Sequence, residues 1–226
     1  PVLTRIDFLS YLARKKHVIS VSGSHGKSST SAMISVIFYY ADMDPTIVLG
    51  GRVRHLFGSS RLGKSNFFIC EGDESNNSIL MFAPKVAVVT NIDDDHLDFH
   101  KSFDNLRNSF LAFMNSEHPG GVCVICADDP VLRELQPQIT RPLTTYGFAE
   151  DADFRAVDVE YGPDFSRFTV VNKANGVLGS ISLRLPGIYN IRNALASIAV
   201  SSLCGIDFGK AAFGLENFPG VARRFD

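Results

Sequence analysis

Short apolar runs recur along the chain: Val18 to Ser22, Phe67 to Cys70, Val86 to Thr90 and Val122 to Cys126. They are too short for buried helices, and their apolar positions are nearly continuous rather than alternating. That is the pattern of strands covered on both faces. Segments of helical period lie between them. One runs over residues 5 to 15, where Thr4 and Asp7 resemble an N-cap pair. A second ends near Tyr40, and a third spans Ser102 to Met114. Asp128-Asp129-Pro130 opens a fourth, with proline in its first turn. Thr46 to Leu49, after the Asp44-Pro45 turn, and Leu143 to Tyr146 read as two more strands. Alternation of this kind predicts a mostly parallel α/β sheet flanked by helices.

After Gly147 the period changes. Phe154 to Val159, Phe168 to Val171 and Val177 to Leu185 alternate apolar with polar, separated by Gly162-Pro163-Asp164 and Ala174-Asn175-Gly176. They predict a small antiparallel three-stranded subsheet. Helix returns at Asn190 to Leu203, closed by Gly205, and again over about 208 to 216. Gly50 to Lys64 reads as a loop whose Arg52, Arg54, Arg61 and Lys64 form a solvated basic cluster.

Composition narrows the function classes. The 226 residues are 45% hydrophobic and 20% charged, with a formal net charge of −2. That balance suits a globular core and gives no broad basic face for nucleic acid. No apolar run approaches the roughly 18–20 residues that span a bilayer, and no signal-peptide architecture opens the chain. The expected setting is cytoplasmic. Cys123 and Cys126 make a C-x-x-C, but inside a strand residues three apart face opposite sides. With Cys70 and Cys204 they read as buried, reduced thiols rather than a metal or redox pair. The chain starts at Pro1 and stops after Arg223-Arg224-Phe225-Asp226 with no closing element. It is expected to be a piece of a longer protein.

The chemistry concentrates at the ends of the apolar runs. Gly23-Ser24-His25-Gly26-Lys27-Ser28-Ser29-Thr30 joins the first run to a helix. Its glycines permit positive φ and close backbone approach. Amides of the turn and the helix start favour an anion there. Lys27 adds a charge, and Ser28 a hydroxyl suited to Mg²⁺. Val21 stands where the common phosphate-loop pattern has a glycine. Glu71-Gly72-Asp73-Glu74-Ser75 follows the second run and puts Glu71 on the same rim as Lys27, able to bind the Mg²⁺ that bridges phosphates. Asn91-Ile92-Asp93-Asp94-Asp95-His96-Leu97-Asp98 follows the third. Its anions call for a cation, with His96 the better ligand and His100 read as a surface histidine. At Tyr189-Asn190-Ile191-Arg192-Asn193, Asn190 suits an N-cap, while Asn193 is less easily explained that way. Two amides on one rim would read a base edge through donor and acceptor pairs.

Taken together and in order, the phosphate loop, Glu71 to Ser75, Thr90-Asn91-Ile92, Asp95-His96-Leu97-Asp98, Tyr189 to Asn193 and Arg223-Arg224-Phe225 resemble the Mur ligase family. These are ATP-dependent amide ligases of peptidoglycan precursor synthesis, with three domains. The chain resembles the central, ATP-binding domain. The N-terminal UDP-sugar domain and the C-terminal amino-acid domain are then expected elsewhere in the parent chain. Glu71-x-Asp73-Glu74-Ser75, Cys126-Ala127-Asp128-Asp129-Pro130 and Gly220 to Phe225 are similar to the branch that joins L-alanine to UDP-N-acetylmuramate. Other branches add a tripeptide or extend folate. The resemblance implies a P-loop ATPase-like sheet, ATP and two Mg²⁺. It implies that Lys27 binds the β- and γ-phosphates together with Gly23, Ser24, His25, Gly26, Ser28 and Ser29. Ser28 and Glu71 would hold the first Mg²⁺ and His96 the second. By the same resemblance, Lys27, Glu71 and His96 would carry the catalysis. Asn190 and Asn193 would contact adenine, Arg224 would reach the phosphates, and Asp73, Glu74 and Ser75 would lie near the sugar nucleotide. Three departures stand out: Ser28-Ser29 replaces two threonines, Tyr189 replaces a frequent histidine, and no lysine lies between Ser102 and His118. The last suits the alanine-adding branch.

Overall fold

The apolar runs pair side by side as strands. The structure, a computed structural model, describes residues 5–73, 82–94 and 100–222. In chain order the elements are α1 (Arg5–Ala13), β1 (His17–Ser22), α2 (Lys27–Tyr40), β2 (Thr46–Val53), β3 (Gly58–Arg61), β4 (Phe67–Glu71) and β5 (Val86–Val89). Then come α3 (Phe103–Met114), β6 (Val122–Cys126), α4 (Pro130–Leu135), β7 (Leu143–Gly147), β8 (Phe154–Tyr161), β9 (Ser166–Asn172), β10 (Gly176–Leu183), α5 (Ile188–Leu203) and α6 (Phe208–Glu216). Among the described residues ten strands form one sheet in the order β10-β9-β8-β7-β6-β5-β1-β4-β2-β3. The pairings from β2 through β8 are parallel, and β3, β9 and β10 run antiparallel at the two edges. The order turns about β1, which lies between β4 and β5. In such sheets the crevice beyond the carboxyl ends of the central strands is where ligands sit.

Each central strand buries both faces. Ile19 and Val21 join the large core with α2, whereas Val18, Phe68, Cys70 and Phe82 form a second cluster under Leu9 and Leu12 of α1. Within α2, Met33, Ile34, Ile37 and Phe38 are wholly buried. Each contributes on the order of 1.5–3 kcal/mol. Helices α2 and α5 pack closely through small residues. Ser35, Ser197 and Ser201 are buried and donate to the carbonyls of Ser31, Asn193 and Ser197 one turn back. Those bonds satisfy the hydroxyls within each helix, and Ser197 Oγ also reaches Thr30 O at the loop end of α2, at 3.4 Å.

The structure corrects three expectations. Gly50 to Lys64 is mostly a hairpin, because β2 continues to Val53 and turns through His55 (φ 57°) into β3. Arg61 is held by Asp44 at 2.6 Å and lies over the Tyr39 ring. The expected three-stranded meander is present, continuous with the main sheet through Tyr146–Phe154 and Gly147–Arg155 pairing. Asn190 is not an N-cap: α5 starts at Ile188, capped by Gly187 at φ 91°. His100 is buried, not on the surface. The next residue, Lys101, takes a left-handed φ of 66°, a turn that the local sequence does not announce. Thr4 lies outside the described residues.

Candidate active site

The loop after β1 is shaped by two glycines. Gly23 has φ 130°, and a Cβ there would run into Thr90 Oγ1 and the Asn91 backbone. Gly26, at φ 86°, caps α2 and has no side chain to offer it. The first helical amides, Lys27 to Ser29, therefore have no intrahelical acceptor and face the loop mouth. Lys27 Nζ folds over the loop, donating to Gly23 O at 2.5 Å and Ser24 O at 3.3 Å.

Residues after β5 hold this loop in place. The Asn91 side chain pairs with both backbone groups of His25, accepting from its N–H at 2.8 Å and donating to its carbonyl at 2.9 Å. Thr90 Oγ1 donates to the same carbonyl at 2.5 Å. Ser24 Oγ donates to Asp93 O and accepts from Asp93 N. The His25 ring is exposed, with Nε2 3.5 Å from Asp93 Oδ2. Thr90, Asn91 and Asp93 thus act as a scaffold for the loop, a role that their sequence alone did not disclose.

Glu71 closes the other side. It ends β4 opposite Val21 of β1 and accepts from Ser28 Oγ at 2.9 Å, Ser31 Oγ at 3.2 Å and Gly50 N at 2.6 Å. A serine hydroxyl and a carboxylate at the start of α2 form a hard-oxygen donor pair. Mg²⁺ takes one or two protein oxygens together with phosphates and water, which fits this pair. Among the described residues no three His, Cys, Asp or Glu side chains gather as a metal site on their own. Asp73 lies two residues beyond Glu71 on the same rim. Glu74, Ser75, His96 and Arg224 lie outside the described residues.

Beside the loop lies a cavity of about 810 Å³. His25, Gly26 and Ser29 form its near end, Ile92, Phe103, Val131 and Tyr146 line it, and Asn190, Arg192 and Asn193 of α5 bound it. Both asparagines are nearly buried, at 2% and 8% exposure. Asn190 Nδ2 donates to Pro186 O at 2.7 Å, and Asn193 Oδ1 accepts from Thr30 Oγ1 at 3.2 Å. Asn190 Oδ1 and Asn193 Nδ2 are left open, one acceptor and one donor on the cavity wall. Gly26 is needed here too: a Cβ on it would come within 2.7 Å of Asn193 Oδ1. The structure therefore brings Gly23, Ser24, His25, Gly26, Lys27, Ser28, Ser29, Glu71, Asn190 and Asn193 around one crevice.

Asp129 caps α4 by accepting from Leu132 N at 2.8 Å. Its carboxyl is pushed above the usual range, chiefly by burial and in spite of that bond. The cysteines are as expected, free and largely buried. Burial pushes the thiols of Cys70 and Cys123 to about 12, and those of Cys126 and Cys204 to about 11. Among the described residues no helix is long and apolar enough to cross a membrane.

Comparison with known proteins agrees with this geometry. Residues 21–201 match the Mur ligase middle domain family. The UDP-N-acetylmuramate–L-alanine ligase of Geotalea uraniireducens is 40% identical over 225 residues, which is all of this chain and 49% of that protein. The chain thus spans about half the length of the curated relatives it matches. Among solved structures, the UDP-N-acetylmuramate:L-alanyl-γ-D-glutamyl-meso-diaminopimelate ligase of Neisseria meningitides superposes with a TM-score of 0.87 at 25% identity, over 99% of this chain and 72% of that one. The UDP-N-acetylmuramate–alanine ligase of Thermotoga maritima superposes at 0.82 with 27% identity, over 97% and 49%. A parallel sheet that turns at β1, a phosphate-type loop at that turn and a family match over most of the chain lead to one conclusion: this chain belongs to the Mur ligase family and matches its middle domain.

Proposed function

We propose that this chain is the ATP-binding core of an ADP-forming ligase. The complete enzyme would join L-alanine to the carboxylate of UDP-N-acetylmuramate in the cytoplasm, during peptidoglycan precursor synthesis. The observation that carries the reading is the Lys27 loop. It stands between the Ser28–Glu71 oxygen pair and a cavity edged by two half-satisfied amides. ATP fits that layout end to end. Lys27 and the amides of Gly26 to Ser29 oppose phosphate charge. Ser28 and Glu71 would hold Mg²⁺, which supplies charge neutralisation on the phosphates when bound. Asn190 Oδ1 and Asn193 Nδ2 offer the acceptor and donor that match adenine N6–H and a neighbouring ring nitrogen; the O6 and N7 edge of guanine has acceptors only.

In this mechanism the γ-phosphoryl group passes to the muramate carboxylate, giving an acyl phosphate and ADP. The L-alanine amine attacks the acyl carbon, and phosphate leaves as the amide forms. The chain's own residues position and neutralise rather than form bonds. His96 as a second metal ligand, Arg224 on the phosphates, and Asp73, Glu74 and Ser75 toward the sugar nucleotide belong to the same proposal. The partner surfaces are the N- and C-terminal domains expected in the parent chain, which present the two substrates. Alone, this chain would bind nucleotide without ligating. A tripeptide-adding activity is the second reading, favoured by the superposition on the Neisseria ligase. The test is phosphate release by the full-length enzyme against a panel of amino acids and peptides. L-alanine should be preferred, and Lys27→Ala should abolish turnover. Retained turnover in that variant would sink the assignment, and preference for a tripeptide would move it to the second reading.

A further inference from the structure

The far end of the cavity contains an ion pair that the proposed mechanism does not use. Asp128, between β6 and α4, accepts from Phe148 N at 2.8 Å, Ala149 N at 3.0 Å and Arg192 Nε at 2.8 Å. Its carboxylate presses on the backbone at the end of β7: Gly147 has φ 153°, and a Cβ there would lie 2.6 Å from Asp128 Oδ1. The Arg192 guanidinium also lies over the Phe148 ring, 5.5 Å from its centroid. Three separate stretches of chain, the ends of β6 and β7 and the first turns of α5, are thereby tied through one carboxylate. Arg192 sits between Asn190 and Asn193 on α5, and Asp128 and Arg192 both line the cavity.

The first turn of α5 is held by buried Ile191 and by Asn190 Nδ2 on Pro186 O, and Arg192 adds its tie to the ends of β6 and β7. Gly187 caps it without a side chain, and Tyr189 is 72% exposed. A guanidinium held at Nε by a carboxylate and on its face by a ring has a fixed plane. That brace restrains the helix turn that carries both amides. We infer that Asp128 and Arg192 are positioning residues for the nucleoside end of the site, setting Asn190 and Asn193 against the base while leaving the phosphate loop untouched. The inference rests on the nucleotide-binding reading above.

The two ends of the site can be probed separately. Mg-ATP reports on both, whereas magnesium tripolyphosphate reports on the phosphate end alone. Calorimetric titrations would compare wild type with Asp128→Asn, Arg192→Met and the double variant. Each single variant should bind ATP about tenfold more weakly and tripolyphosphate within about twofold of wild type. The double variant should be no worse than the weaker single one, because both changes break one brace. Equal loss of both ligands would place the damage in the general fold and overturn the inference. A loss in Arg192→Met alone, with Asp128→Asn unchanged, would make Arg192 a direct contact and also overturn it. Wild-type protein that binds neither ligand would instead remove the nucleotide reading, and the inference with it.

Discussion

The two ends of the cavity are built in different ways. The end proposed to hold phosphate is built on consecutive residues, with donors that are mainly backbone amides shaped by Gly23, Gly26 and the start of α2. The end proposed to hold the base comes from side chains that meet across long sequence separations: Asp128 with Arg192, and Thr30 with Asn193. A main-chain cradle takes its shape from its own backbone and needs only the few bonds from Thr90, Asn91 and Asp93 to hold it. A side-chain wall depends on several packing contacts at once. The two ends should therefore respond differently to substitution.

The largest effect is expected from Gly23→Ala. A φ of 130° strains any L side chain, by about 1–3 kcal/mol, and the added Cβ would displace Thr90 or Asn91. Urea unfolding should show at least that loss, and titration should show tripolyphosphate binding abolished. Gly147→Ala is the matched change at the other end, where the Cβ would push on Asp128. It should weaken ATP and spare tripolyphosphate. If the two alanines behaved alike, the separation of the two ends would fail.

Next in size is Asn193→Ala. It removes the acceptor for Thr30 Oγ1, which costs about 1 kcal/mol, and with it the open amide donor on the cavity wall. Thermal unfolding should register the first effect. The ratio of ATP to GTP affinity should fall toward one as the second is lost. An unchanged ratio would take Asn193 out of base recognition.

How much of this the sequence disclosed follows the same division. Val18 to Ser22, Phe67 to Cys70 and Val86 to Thr90 read as strands because their apolar runs are continuous, and the loop after Ser22 reads as a cradle because its glycines lie close together in sequence. The hairpin through His55 stayed hidden, since Arg52, Arg54 and Ser59-Ser60 carry no strand pattern and the edge pairing comes from tertiary contact. The start of α5 was misplaced because Asn190 has the chemistry of a cap, while Gly187 at φ 91° takes that position. The Asp128–Arg192 brace spans 64 residues, and no local period can reveal such a pair.

Smaller effects test the quiet parts of the comparison. With thiols pushed to about 11 and 12, almost no thiolate exists at pH 8. Alkylation of the native chain should be slow at all four cysteines and become rapid on unfolding. Fast labelling of Cys123 or Cys126 in the folded state would contradict their burial in and beside β6. Asp129→Asn should be smaller still. Asparagine keeps the cap on Leu132 N and relieves the burial of a charge. A raised folded-state pKa means that Asp129 is least costly to the fold below its unfolded pKa, and that this cost grows as pH rises through the folded value. The variant should therefore be slightly more stable than wild type at neutral pH, and the gain should vanish in acid below the carboxylate range.

The central claim, that this crevice holds a magnesium nucleotide with its phosphates on the Lys27 loop, is tested most directly by titrating the chain and its Lys27→Ala variant with Mg-ATP in a calorimeter. Saturable one-to-one binding that needs the divalent cation and disappears in the variant is the predicted result. Binding that survives the loss of Lys27, or no binding by the wild-type chain, would contradict it.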